Sequence, residues 1–254
     1  MKRATLLLLI TILLPFGVLA WSTPGEEFRG ELKLGGDVTD TRNPWVWKTG
    51  NRTEGLEVKF TSQGRNKEMI TQVLLPPLTL LSGKTAQIIP TGREGISPRI
   101  TYGKETEGFM LKWDAAGTAK VTLPVTGNDS RYVGSLTLRM QAVAVMRHVA
   151  NGRAVYSELY EDLKGNGLPE QMSVMPAEQV PGKLQAIFAG EGPSWLKDII
   201  VSGNVGLSSF GNAGLHHLEG VYVAQVIPDF AELRLTGDIP ARWRVSMPIS
   251  VEYQ

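Results

Sequence analysis

The stretch WRVSMPISVEYQ, residues 243–254, ends the chain and carries the clearest period-two pattern in the sequence. Apolar side chains fill every second position, namely Trp243, Val245, Met247, Ile249, Val251 and Tyr253. This alternation predicts a β-strand with one apolar face and one solvated face. Pro248 falls on the opposite phase and has no N–H to donate. We therefore expect the strand to lie at a sheet edge, or to leave that position unpaired.

A second alternating stretch, FRGELKLGGDV, residues 28–38, lies near the start of the chain. Its apolar or small residues again occupy every second position: Phe28, Gly30, Leu32, Leu34, Gly36 and Val38. A lone strand at a chain terminus cannot bury an apolar face by itself. Both ends of the chain are thus predicted to be strands, and at least one of them to border an incomplete sheet.

Short strands are also predicted over most of the sequence between these two ends. The candidates are GLEVKFT (55–61), GTAKVTLPV (117–125), GSLTLRMQAVAVM (134–146), VYVAQV (221–226) and AELRL (231–235). Gly, Pro, Asn and Asp separate them at regular intervals. This arrangement predicts an all-β fold, either a sandwich or a barrel.

Residues 150–215 form a different region, rich in Gly, Pro and Ser, in which strand periodicity fades. The segment GKLQAIFAG (182–190) can place Leu184, Ile187 and Phe188 on one helical face. The segment PSWLKDII (193–200) opens with Pro and Ser, which suits a helix start. We expect a small, partly helical insertion on the β core at about residues 150–215.

The N-terminus has the features of an export signal. Lys2 and Arg3 precede an apolar run from Leu6 to Leu14, and Val18-Leu19-Ala20 offers a small-residue cleavage site. We predict a signal peptide over residues 1–20, with a membrane anchor as the alternative. The chain contains no Cys. Something other than a disulfide must therefore close the fold of this exported protein.

Composition and motifs argue against catalysis and against nucleic acid as a partner. Lys and Arg number 26 against 25 Asp and Glu, so no basic excess exists for phosphate binding. Three histidines are present: His148 is expected at a strand end, and His216-His217 as a solvated pair in a loop. No metal-binding, nucleophile or phosphate-loop motif occurs. We expect no enzyme activity, no cofactor and no metal.

Tryptophans offer the only candidate for sugar binding, since a flat ring can stack on a sugar. Trp45 and Trp47 are two residues apart and share a face if they lie in a strand. Anchoring the core is the favoured interpretation of that pair. Trp195, in the helical region, is the better candidate for an exposed ring.

Four features together resemble a known family. FRGELKLGGDV, PWVWKTG (44–50), LQAIFAG (184–190) and the alternating C-terminus with penultimate Tyr253 are similar to the subunits of K88-type adhesive fimbriae. These are bacterial surface polymers built by the chaperone–usher route. The resemblance spans residues 21–254, closest at the two ends and looser between 60 and 220.

The resemblance implies an immunoglobulin-like sandwich that lacks its last strand. A periplasmic chaperone would fill the groove during export, and the N-terminal extension of the next subunit would replace it in the fibre. Residues 21–39 would be that donor-strand extension, and 40–254 the fimbrial domain. Phe28, Gly30, Leu32, Leu34, Gly36 and Val38 would be the donor side chains, and Trp243 to Tyr253 the edge that contacts the chaperone.

The resemblance favours a minor structural subunit, with a chaperone, an outer-membrane usher and neighbouring subunits as partners. The major adhesive subunit of the family is longer in its middle part, where receptor binding is placed. A lectin-like adhesin that binds host glycans through residues 150–215 is the alternative. An outer-membrane β-barrel and a periplasmic enzyme are weaker alternatives, because the middle third lacks alternation and no catalytic motif is present.

Overall fold

The structure is a computed structural model that describes residues 43–50, 68–114, 116–128, 130–237 and 240–254. Three sequence predictions lie outside the described residues. They are the signal peptide, the donor stretch 28–38 and the GLEVKFT strand at 55–61.

Fourteen strands and one α-helix make up the described fold. The strands are β1 (Trp45–Thr49), β2 (Glu68–Leu74), β3 (Leu78–Thr85), β4 (Ile89–Thr91), β5 (Pro98–Tyr102), β6 (Met110–Trp113), β7 (Thr118–Thr126), β8 (Tyr132–Ala150), β9 (Arg153–Tyr160), β10 (Val201–Gly206), β11 (His216–Val226), β12 (Phe230–Thr236), β13 (Arg244–Val245) and β14 (Ile249–Tyr253). The helix α1 is Val180–Phe188, and short 3-10 helices cover Gln171–Ser173, Ser194–Lys197 and Leu207–Gly211.

The long strand β8 pairs with different neighbours along its two halves. Its C-terminal half lies between β11 and β9, in the order β1-β3-β11-β8-β9-β10. Its N-terminal half lies between β12 and β7, with β2 beyond β12, and with β6 and β13 on the far side of β7. A separate antiparallel pair joins β5 to β14. The fold is thus all-β and sandwich-like, which is one of the two architectures that the strand pattern predicted and the one that the resemblance implied.

Burial along β8 explains why its sequence changes character halfway. In the first half only alternate residues such as Leu136, Leu138 and Met140 are buried, and they belong to the main core. From Ala142 to Met146 every residue is buried. Val143 and Val145 face a second apolar cluster on the outside of the sheet. The continuous apolar run therefore marks a strand that is covered on both faces.

The second cluster is covered by the helical part of the chain. Leu184 and Phe188 of α1 are buried there, together with Leu196 of the 3-10 helix. Both short helices thus lie where the sequence predicted them. The same region also contains β9 and the parallel strand β10, which the fading periodicity did not indicate. No helix among the described residues is long and apolar enough to cross a membrane.

Candidate assembly edge at the C-terminal strand

The C-terminal stretch keeps its alternating face but is not one continuous strand. β13 pairs with β7, whereas β14 pairs with β5, and residues 246–248 lie between them. Pro248 sits at this break, where its carbonyl accepts a hydrogen bond from the N–H of Gly103 at 2.8 Å. The position of Pro248 is thus left out of both pairings, which was one of the two expected outcomes, but the segment forms two strands instead of one. The six alternating side chains are nevertheless all half-buried against the main core: Trp243, Val245, Met247, Ile249, Val251 and Tyr253.

The hydrogen-bond register of β14 shows which way its backbone points. Gln254 and Ser97 exchange two hydrogen bonds, N to O at 3.0 and 3.1 Å. Bonded and non-bonded pairs alternate in an antiparallel ladder. The N–H and C=O groups of Ile249, Val251 and Tyr253 therefore point away from β5. We call this side of β14 the outer edge, and no strand among the described residues pairs with it.

The other side of β5 is closed by a loop, residues 161–169. The N–H groups of Asn166 and Gly167 both donate to the carbonyl of Ile100 at 3.1 Å. The side chain of Asn166 accepts from the N–H of Tyr102 at 2.7 Å and donates to its carbonyl at 3.0 Å. One amide side chain thus takes the place of a neighbouring strand. Within the described part of the β5–β14 pair, it is the outer edge of β14 that can still accept a partner.

An aromatic group connects the end of β14 to β1. The indole Nε1 of Trp47 donates to the hydroxyl of Tyr253 at 2.8 Å. The ring of Trp47 stacks on Trp45 with centroids 5.2 Å apart, and Trp45 is 6% exposed. Burial raises the pKa of the Tyr253 hydroxyl. The pair of tryptophans is thus packed in the sandwich, which agrees with the core-anchor interpretation.

The solvated face of β14 carries charge. Glu252 lies on this face and pairs with Arg99 of β5 and, at 2.8 Å, with Lys104. Exposed ion pairs of this kind contribute about 1 kcal/mol or less. They mark the face of the strand that stays in water, opposite to Val251.

Trp195 is not an exposed ring, and it lies far in sequence from the C-terminal edge. It is half-buried, it packs on Tyr156 with centroids 5.5 Å apart, and its Nε1 donates to Glu219 at 3.1 Å. Glu219 also pairs with Arg147 at 2.7 Å. These contacts fix the 3-10 helix to the sheet and leave little ring face for a sugar.

The histidines form no site with one another. His148 lies near the end of β8, as predicted, and burial lowers its pKa. His216 and His217 are exposed, as predicted, but they begin β11 instead of lying in a loop, because His216 pairs with Thr91 and Val149. In the described ranges no group of three or more His, Cys, Asp or Glu side chains could hold a metal.

Glu158 on β9 is a buried carboxyl, 3% exposed, that accepts a hydrogen bond from the N–H of Met175 at 3.0 Å. Burial raises its pKa to about 7 from the usual 4.5. The folded state therefore favours the protonated form. The protonated Glu158 therefore contributes to the stability of the folded protein. This contribution is fully present below about pH 4.5 and is lost as the pH rises through 7.

We expect the protein to be less stable at pH 8 than at pH 5 in part because of this group. Glu158→Gln keeps an acceptor for Met175 but cannot ionise. The variant should gain about 1–3 kcal/mol over the wild type at pH 8 and little at pH 5. Urea denaturation at both pH values checks this. Glu161 also has a pKa raised to about 7 by burial, so the comparison is between variant and wild type at each pH. An equal difference at both pH values would contradict the assignment.

The described residues therefore define a class of protein: a β-sandwich whose last strand combines an outer edge with half-buried apolar side chains. Comparison with known proteins identifies the family. The model of the K88 family described as "Fimbrial, major and minor subunit" matches residues 1–254. The chain is 54% identical over 254 residues to the K88 minor fimbrial subunit FaeI of Escherichia coli, with 100% of each chain covered.

The chain belongs to the K88 family of fimbrial subunits. The resemblance found in the sequence is thereby confirmed. The protein is a subunit of a cell-surface fimbrium and associates with other fimbrial subunits. The family is structural and is not known for enzymes, which agrees with the expectation of no enzyme activity.

Proposed function

We propose that this chain is a minor structural subunit assembled by the chaperone–usher pathway through donor-strand exchange. The observation that supports this most is the coincidence of two properties on β14. Ile249, Val251 and Tyr253 direct their backbone groups to the outer edge, and the same residues carry the half-buried apolar side chains. A strand added there would gain a hydrogen-bond ladder and an apolar floor together.

The occupants of the edge follow from its chemistry. An apolar edge strand left open is an aggregation hazard, so a periplasmic chaperone would cover it after export. In the fibre, the donor stretch 28–38 of a neighbouring subunit would replace the chaperone strand at the outer-membrane usher. That stretch alternates with a period of two, as β14 does, and its eleven residues are more than enough to span the five residues of β14.

The same proposal divides the chain by role. Residues 1–20 are removed on export, 21–39 form the donor extension and 40–254 form the sandwich with its partly helical insertion at about 150–215. The donor side chains are Phe28, Gly30, Leu32, Leu34, Gly36 and Val38. The acceptor edge comprises Trp243, Val245, Met247, Ile249, Val251 and Tyr253.

A pull-down from periplasmic extract tests the proposal, with the full chain compared with a variant that lacks residues 21–38. Because the two ends serve different partners, both proteins should retain the chaperone. The variant that lacks residues 21–38 should, however, fail to insert into the groove of the preceding subunit. Recovery of the full chain as a stable monomer without a chaperone would contradict the proposal.

A further inference from the structure

The last side chain of the outer edge is held by a residue of the other sheet. The Nε1 of Trp47 in β1 donates to the hydroxyl of Tyr253 at 2.8 Å, across 206 residues of sequence. A strand end that is paired on one side only frays unless its side chains are tied down. This hydrogen bond, with the Gln254–Ser97 pair, secures the end of the strand.

Trp47 is itself held rigidly in its place. Its ring stacks on Trp45 at an interplanar angle of 14° and meets the edge of Tyr222 with centroids 5.8 Å apart. The ring lies directly over Gly83 on β3, where an added Cβ would come within 2.3 Å of two ring carbons. A side chain larger than Gly would displace the indole. The donor to Tyr253 is thus fixed before any partner strand arrives.

We propose that Trp47 is a positioning residue for strand capture, an inference that rests on the proposed function. By holding the Tyr253 ring inward, Trp47 keeps the backbone of Tyr253 in line with β14. The outward N–H and C=O of Tyr253 are then ready to pair with the last residues of the partner strand. Ordering this end in advance removes an entropic cost from binding.

The test dilutes urea-unfolded subunit into buffer that contains a synthetic peptide with the sequence of residues 28–38, and it measures the rate at which the peptide is captured. Loss of one hydrogen bond corresponds to roughly a tenfold change. Trp47→Phe should therefore slow capture about tenfold. Tyr253→Phe removes only the hydroxyl, is the less disruptive change, and should slow it by a similar factor. The double variant should be no slower than either single one, because both lose the same bond.

Trp113→Phe is the matched control. Trp113 is also half-buried, and its Nε1 donates to the carbonyl of Asn166 at 3.1 Å, behind β5 and away from the outer edge. This variant loses an equivalent bond and should capture the peptide at the wild-type rate. Wild-type capture by Tyr253→Phe, or equal slowing by Trp113→Phe, would overturn the role of Trp47. Failure of the wild type to capture the peptide would overturn the proposed function and the role of Trp47 with it.

Discussion

Val251→Asp and Tyr253→Ser should each abolish accumulation of the protein in the periplasm. Val251 is half-buried against the main core, so an aspartate there places a charge on the apolar side of the edge. Tyr253→Ser removes a ring that packs on the core and leaves the indole N–H of Trp47 without its acceptor. Both changes spoil the surface that a chaperone strand would cover. We expect the amount of protein in periplasmic extracts, measured by immunoblot, to fall at least about tenfold.

The matched control for these variants is Gln254→Asp. Gln254 is exposed, and it contacts Ser97 through its backbone, which the substitution leaves in place. This variant adds the same charge three residues beyond Val251 and should accumulate normally with its chaperone. The assignment of the edge is ruled out if Val251→Asp and Tyr253→Ser also accumulate normally with the chaperone bound.

Strands with an alternating or continuously apolar sequence could be predicted from the sequence. Strands that form only because they pair with their neighbours could not. β7, β8, β11 and β12 show alternation or a continuous apolar run, and all four were predicted. β9 buries the polar residues Ser157 and Glu158, which hides its period. β10 contains two glycines and is held by parallel pairing with β9. The local sequence pattern does not predict a strand whose conformation is determined by tertiary pairing with its neighbours.

The candidate assembly edge also has features that the sequence predicted and features that it did not. The apolar face of residues 243–253 was predicted because one alternating phase packs on the core. An unpaired position at Pro248 was one of the two outcomes expected, but the pairing of the two halves with different strands, β7 and β5, was not predicted. The closure of β5 by Asn166 and the hydrogen bond from Trp47 to Tyr253 join residues 64 and 206 positions apart. No local pattern reports contacts of that range.

Grafting residues 28–38 after Gln254 through a short flexible linker should convert the protein into a soluble, chaperone-independent monomer. A strand that returns from Gln254 runs antiparallel to β14 and meets its outer edge, as in a hairpin. The linker makes the pairing intramolecular and raises the effective concentration of the strand. Phe28, Leu32, Leu34 and Val38 would each contribute about 1.5–3 kcal/mol on burial, or roughly 6–12 kcal/mol together before entropic costs. The melting temperature should therefore rise by more than about 10 °C over the protein without the graft.

Two substitutions within the graft test which face of the added strand is buried, and thermal unfolding is the measurement. Leu32 belongs to the apolar phase of the stretch, and its neighbour Lys33 to the solvated phase. Only one face of an added strand is buried, so Leu32→Asp should remove most of the gain in melting temperature, whereas Lys33→Asp should keep it. Both variants carry the same new carboxylate, and they differ in the side of the strand on which it lies. Equal losses would mean that the graft does not bind as a period-two strand, and the donor role of residues 28–38 would have to be abandoned.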